Sequence, residues 1–266
     1  CSLTLNSAPV SATMDLDLGV PGYKYDVAFS ANAIQLAPLV NSFMPDRQGQ
    51  MAGTTTASAQ LKGAGITGAN LQKNLTGQFD FAATNLNLAV ANVRSPLLKT
   101  VINVIFSIPD LIKNPTATLG NLVGGLVGNS PVKGSWSDAL ANSPIDLILA
   151  RGNAGGGRVQ LQQAEVRGAA FQAQAAGELI LAPVLTNSTM QIPVHVALGR
   201  SLAAQAGLLD ASTPTNAVYF SLPDFLTLKG TLGKPKADID KLALVALAAK
   251  AGGGIAGQIG GASGDK

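Results

Sequence analysis

His195 is the only histidine of this 266-residue chain and therefore the only imidazole that could act as a general base. Hydrolysis by a His-dependent mechanism would also need a nucleophile and an orienting carboxylate beside it. No recognisable Ser or Asp context of that kind surrounds it in the sequence. His195 is out of phase with Ile192, Val194 and Val196, so the alternation predicts a surface histidine that points away from an apolar face.

Two carboxylate pairs are the other candidates for chemistry. Asp15 with Asp17, and Asp238 with Asp240, each place two side chains on one strand face, as an acid and base pair or a calcium site would require. Two ligands from one strand are too few for calcium, and one Cys with one His cannot build a zinc site. We therefore expect solvated polar strand faces, with no metal and no cofactor.

Two further motifs have simpler explanations than catalysis. The run from Gly155 to Arg158 suggests a phosphate loop, but it leads into a strand and lacks the Lys-Ser/Thr ending, so it predicts a turn. Cys1 with Ser2 fits the start of a mature lipoprotein, whereas the strand-like alternation from Ser2 to Ser7 favours a segment of a longer protein. An enzyme is the least favoured class, and loss of a hydrolytic activity on replacing His195, Asp15 and Asp238 would contradict that expectation.

The composition is apolar enough to exclude disorder. Apolar residues make up 47% of the chain and charged residues 12%, half the roughly 25% of an ordinary soluble domain. The net charge is +3, but no run of basic residues with interleaved aromatics occurs, so nucleic acid is not expected as a partner. The apolar run 101–108 is too short to span a bilayer. The apolar excess must be buried in a core or covered by something other than water.

Alternation with period two is the dominant pattern and predicts strands. Residues 14–18 and 23–30 predict a hairpin, and 54–62 returns to strand chemistry. Phe79 and Phe81 lie at odd positions, whereas the following Leu86 and Leu88 lie at even ones; this change of phase predicts a bulge near residues 82–84. Later strands are predicted at 145–150, 158–163, 171–181, 192–198 and 225–232.

Helical patterns are concentrated in one insertion, residues 95–142. It contains predicted helices at 95–112, 116–127 and 137–141, and a short separate helix is predicted at 36–43. Pro235 is expected to end the last strand, Asp240 to cap a helix over 241–250, and the Gly-rich tail 252–266 to be mobile. The short turns between neighbouring strands favour one mainly β unit over residues 1–266, a curled, mostly antiparallel, trough-like sheet capped by helices.

Several segments together resemble the C-terminal region of the AsmA-like family. They are GAGITGANL at 63–71, LTGQFDF at 75–81, NLNL at 85–88, GRVQL at 157–161 and KGTLGKPKAD at 229–238. The resemblance covers roughly residues 50–250. It implies a bacterial periplasmic or cell-envelope protein, tethered to the inner membrane by a segment absent from this chain, and linked to outer-membrane homeostasis and phospholipid transfer.

A sheet face that stays apolar and only partly covered would bind acyl chains without a specific polar motif, because each buried methylene contributes about 0.8 kcal/mol. We therefore expect a non-enzymatic lipid-binding or lipid-conducting segment whose partners are a phospholipid or other acyl lipid and other envelope proteins, with helices 95–127 touching a membrane surface. The candidate lining residues, chosen by phase, are Phe79, Phe81, Leu86, Leu88, Phe171, Leu179, Leu181, Ile192, Val194, Val196, Leu226 and Leu228. The alternative is a structural envelope scaffold whose apolar faces close on each other and bind nothing.

Overall fold

A computed structural model describes residues 2–5, 7–19, 23–44, 46, 48–49, 51–113, 135–209, 213–240, 242–243 and 246–247. The predicted helix at 116–127 and the predicted mobile tail lie outside these residues.

One open antiparallel sheet of twelve strands forms the body of the protein. Among the described residues, nearly every strand pairs with the next one in the chain, β10 pairs only with β9, and β1 and β12 are the two edges of the main path. This confirms the mainly β, antiparallel class. The strands are β1 (Ser2–Leu5), β2 (Ala8–Asp17), β3 (Lys24–Gln35), β4 (Thr54–Ala64), β5 (Thr76–Ala89), β6 (Pro144–Gly155), β7 (Arg158–Gly168), β8 (Phe171–Ile180), β9 (Thr189–Gly199), β10 (Tyr219–Ser221), β11 (Leu226–Thr231) and β12 (Lys234–Ile239).

Short helices join or cover the strands. Over the described residues they are α1 (Leu36–Phe43), α2 (Gly68–Asn74), α3 (Pro96–Phe106), α4 (Ile108–Lys113), α5 (Ser135–Ala141) and α6 (Arg200–Gln205). The bounds of α1 are those predicted. The predicted helix 95–112 is broken at Ser107, whose hydroxyl donates to the carbonyl oxygen of Asn103 at 3.0 Å, a local bond that competes with helix continuation.

The predicted change of phase in β5 is a β-bulge. Thr84 lies opposite Leu147, and the next paired residues are Leu88 and Ile145, so β5 holds extra residues just after the predicted 82–84. Asn85 absorbs the irregularity with a φ of 53°. Because of the bulge, Phe81 and Leu88 both lie opposite apolar residues of β6, Ala150 and Ile145, although one has an odd and the other an even position in the sequence.

The structure corrects the expectation for the end of the sheet. Pro235 does not end the last strand but lies within β12, opposite Gly230. β12 is an edge strand, and a proline is tolerated there because its missing N–H need not complete a ladder. The predicted cap is present: the Oδ1 of Asp240 accepts hydrogen bonds from the backbone N–H groups of Leu242 and Ala243.

The main core lies between one face of the sheet and the helices that follow β5. Val104 and Ile105 of α3, Leu140 of α5 and Leu202 of α6 are buried in the same cluster as Leu198 of β9. A small second cluster, formed by Ala8, Ala31 and Ile34 with Leu39 of α1, lies at the β1–β3 side. Helices therefore cover one part of the sheet thoroughly and the other part sparsely.

Candidate functional site

The pairing registers place apolar residues on one face of the sheet, which we call the apolar face. Directly paired residues on antiparallel strands share a face, so the registers can be followed from one edge to the other. One such row crosses the sheet from β1 to β12, a span of roughly 48 Å at about 4.8 Å per strand, and every member is apolar. The row is Leu3, Val10, Ala31, Ala57, Phe81, Ala150, Ala164, Ala175, Val194, Leu226 and Ile239.

Burial divides this face into two parts. Towards β12 the row is closed, since Val194 and Leu226 are each 3% exposed beneath the helical cluster. Towards β1 it opens at Phe81, which is 36% exposed, although Ala31 is buried in the small second cluster. We call the apolar face over β8–β12 the covered half and that over β2–β5 the open half.

Large apolar side chains of the open half reach solvent. Met14 is 68%, Leu16 46% and Phe29 37% exposed, while Val27, opposite Met14, is half-buried. Single exposed apolar residues need no explanation, but a contiguous group on paired strands is typical of a binding surface. The open half is the strongest candidate site among the described residues.

Glycines make the open half flatter than its aromatic content suggests. Phe79 lies directly opposite Gly152, and Tyr25 directly opposite Gly63. A Cβ on either glycine would collide with the facing ring, so each ring lies across bare backbone. The aromatic rings therefore spread along the sheet and leave a shallow apolar surface.

The structure places the twelve predicted lining residues in different environments. Eight are buried, and all of them except Leu181 belong to the main core: Leu86, Phe171, Leu181, Ile192, Val194, Val196, Leu226 and Leu228. Leu88 and Leu179 are half-buried against that core, and Phe79 is half-buried on β5. Of the set, Phe81 alone has a clearly accessible side chain.

Sequence reasoning missed the most exposed members of the open half, Met14, Leu16 and Phe29. Their alternation predicts the hairpin, which the pairing of β2 with β3 confirms. What the pattern lacked was any sign that helices would leave this hairpin uncovered.

The opposite face of the sheet is polar and carries cross-strand ion pairs. Lys62 lies 2.6 Å from Asp26, and Arg151 lies 2.6 Å from Asp80, in each case nitrogen to oxygen. The hydrogen bond and the charge of Asp26 raise the pKa of Lys62. These pairs are exposed and add little stability, so their main effect is to keep this face in water.

A cavity of about 530 Å³ lies on the polar face across β2–β7. Its lining includes the cross-strand row Ser11, Ser30 and Ser58, together with Gln60 and Gln78. Because neighbouring strands of one sheet line it, the polar side is concave at this position. The open half is consequently a broad surface and not an enclosed pocket.

His195 lies on the polar face, as predicted, opposite Gln174. Its Nδ1 is 2.5 Å from Oδ1 of Asp224, a partner that the sequence did not indicate. A smaller cavity of about 400 Å³ adjoins them and is also lined by Asp238 and Asp240. Asp238 pairs with Lys229, and Oδ1 of Asp240 accepts hydrogen bonds from the backbone N–H groups of Leu242 and Ala243.

No group of three or more His, Cys, Asp or Glu side chains able to hold a metal ion occurs in the described part of the chain. Asp15 lies opposite Asp26, and Asp17 accepts a hydrogen bond from the N–H of Gly19 at 2.9 Å. Gly156 and Gly157 occupy the predicted turn between β6 and β7 with positive φ, which glycine adopts without strain.

Searches against protein families, curated proteins and solved structures found no match for this chain. Within the described residues, none of the helices has the length and apolar character needed to cross a bilayer.

Proposed function

We propose that this protein is a non-enzymatic lipid-binding or lipid-conducting segment of the bacterial cell envelope, which holds acyl chains on the open half of its apolar face and supports outer-membrane homeostasis. The observation that carries the proposal is the unbroken apolar row that is buried at Val194 and Leu226 but accessible at Phe81. The envelope location rests on the family resemblance of the sequence.

The apolar row continues unbroken from the open half to the part of the sheet beneath the helices. Exposing a surface that is apolar across paired strands to water is unfavourable, so covering that surface lowers the free energy. The covered half obtains this cover from α3, α5 and α6. The open half has the same chemistry over β2–β5, a width of roughly 14 Å, and needs a flexible apolar partner that can lie across strands.

An acyl chain meets that need without polar recognition. Lying on a shallow surface, it buries about one side, so each methylene contributes roughly half of 0.8 kcal/mol. Several methylenes in contact at once therefore give useful affinity while leaving the chain free to slide along the row. This is the behaviour required of a carrier rather than of a storage pocket.

Native mass spectrometry of gently purified protein tests the proposal. We expect copurified phospholipid on the wild type and its loss from Phe29→Asp and Phe81→Asp, which place charges on the open half. Val218→Asp is the control, because Val218 is also an exposed apolar residue, at 68%, but follows α6 away from the open half. A bare mass for the wild type under all conditions would instead support the structural scaffold with no ligand, the closed core of the covered half being the observation in its favour.

A further inference from the structure

The turns that follow β2, β4, β6, β8 and β11 all lie at one end of the sheet, because consecutive antiparallel strands reverse direction. We call this the turn end. It carries exposed large apolar side chains on several turns: Leu18 after β2, Ile66 after β4, and Val184 with Leu185 after β8. These side chains are separate from the open half, which lies on a face of the sheet.

Backbone contacts join the separate turns into one surface. The N–H of Gly65 donates to the carbonyl oxygen of Tyr23 at 2.9 Å, linking the turns after β2 and β4. The N–H of Leu181 donates to the Gly157 carbonyl oxygen at 2.8 Å, linking those after β6 and β8.

Two further contacts complete the surface. The N–H of Gly233 donates to the carbonyl oxygen of Thr186 at 2.8 Å, which ties the turn after β11 to that after β8. Gly68, at the start of α2, packs so closely on the carbonyl of Pro183 that any side chain there would collide with it. The apolar tips are therefore presented together on fixed backbone.

The charge of the turn end is positive at two of these turns. Lys73 lies in the last turn of α2, and Lys234 follows the turn after β11. Neither forms an ion pair within the residues that the structure describes, unlike Lys62 and Lys229 farther along the strands. Exposed apolar tips with unpaired lysines beside them are the combination that binds an anionic membrane interface.

We propose that the turn end docks on the surface of an anionic lipid bilayer. Ile66, Val184 and Leu185 insert among the headgroups, and Lys73 and Lys234 lie against lipid phosphates. The inference goes beyond the lipid-binding function of the open half and stands without it, since the two sets of residues do not overlap.

Cosedimentation with phosphatidylcholine vesicles, with and without one third phosphatidylglycerol, tests the docking. We expect the triple variant Ile66→Asp, Val184→Asp, Leu185→Asp to bind at least tenfold more weakly to the anionic vesicles. The matched control is the double variant Phe43→Asp, Met44→Asp. These two residues are 79% and 53% exposed and lie at the opposite end of the sheet, so vesicle binding should be unchanged. Circular dichroism verifies that both variants fold.

The lysines give a second, independent readout. Lys73→Ala and Lys234→Ala should each weaken binding to anionic vesicles about fivefold and leave binding to neutral vesicles unchanged. Equal losses on both vesicle types, an equal loss in the control variant, or no vesicle binding by the wild type would each overturn the proposal. Self-association that the triple variant abolishes, without vesicle binding, would assign the surface to a second copy and overturn it as well.

Failure of this inference can be told apart from failure of the proposed function. The open-half variants Phe29→Asp and Phe81→Asp should keep vesicle binding, and the triple variant of the turn end should keep its copurified lipid. Loss of vesicle binding in the open-half variants would show that the turn end is not the docking surface.

Discussion

At the scale of single residues, the close pairing of strands beneath the apolar face depends on glycines at positions where a side chain would collide with the neighbouring strand. Gly77 has a φ of 140°, and a Cβ there would collide with the carbonyl oxygen of Gln60 on β4. Gly155, near the same end of the sheet, has no atom within 4 Å of its Cβ position. Replacing each glycine by alanine therefore compares a position where the backbone requires glycine with one where it does not.

We expect Gly77→Ala to lower the free energy of unfolding by about 1–3 kcal/mol, because alanine is strained at this φ and crowds the neighbouring strand. Gly155→Ala is the control and should change it by no more than about 1 kcal/mol, in the stabilising direction if at all. Urea unfolding measures both. Equal midpoints for the two variants would show that the close approach of β5 to β4 is not a constraint.

Tyr25 provides a test by pH. Burial on the apolar face raises the pKa of its phenol, so the folded protein holds this proton more tightly than the unfolded chain. The resulting stability is fully present below the unfolded pKa of about 10 and is lost as the pH rises through the folded value. Tyr25→Phe should therefore flatten the fall in unfolding free energy above pH ~10.

Tyr219 serves as the comparison. Its pKa is also raised, chiefly by burial, but its hydroxyl donates to the carbonyl oxygen of Gly168 at 3.0 Å. Tyr219→Phe should thus also cost about 0.5–1.5 kcal/mol near neutral pH, whereas Tyr25→Phe should not. An unchanged alkaline slope in Tyr25→Phe would contradict the burial argument.

At the scale of elements, α3 accounts for much of the difference between the two halves. Val104 and Ile105 are almost wholly buried, and both belong to the core that closes over the covered half. Lys99 of the same helix is exposed. The helix thus has one side committed to the sheet and one side in water.

We expect Ile105→Ala to cost about 2–5 kcal/mol of unfolding free energy, because it leaves a cavity between α3 and the sheet. Lys99→Ala, on the exposed side, should stay within about 0.5 kcal/mol of the wild type. Thermal or urea unfolding gives both values, and a cost for Ile105→Ala no larger than that for Lys99→Ala would mean that α3 does not close the covered half.

Strands were predictable from sequence where apolar and polar residues alternate with a clean two-residue period, because successive side chains of a strand point to opposite faces. The hairpin predicted from residues 14–18 and 23–30 is present as the pairing of β2 with β3, and the change of phase after Phe81 correctly indicated a bulge. Position within the sheet was not predictable. Pro235 is acceptable only because β12 is an edge, and an edge is a property of the whole topology.

At the scale of the whole molecule, the candidate site was only half predictable. The sequence shows which residues share a face, but the same alternation occurs at Phe29, which reaches solvent, and at Ile192, which does not. The difference is made by helices distant in the chain, and no local pattern records where they pack. Predicted lining residues consequently fell mostly beneath the helices.

A ligand on the open half should stabilise the molecule as a whole. A lysophospholipid at 100 times its Kd would add about 2.7 kcal/mol to the unfolding free energy, since the unfolded chain presents no such surface. We expect this gain in the wild type and its absence in Phe29→Asp, each protein being compared with its own ligand-free state. An equal gain in both proteins would place the ligand elsewhere.

Nearest-neighbour pairing has a final consequence, for growth of the architecture. If one hairpin were added or deleted, the strands after it would keep their direction, and their apolar residues would stay on the same face of the sheet. Width can thus change in steps of roughly 10 Å without redesigning what remains. Duplication of hairpins is therefore a simple evolutionary route to a wider sheet.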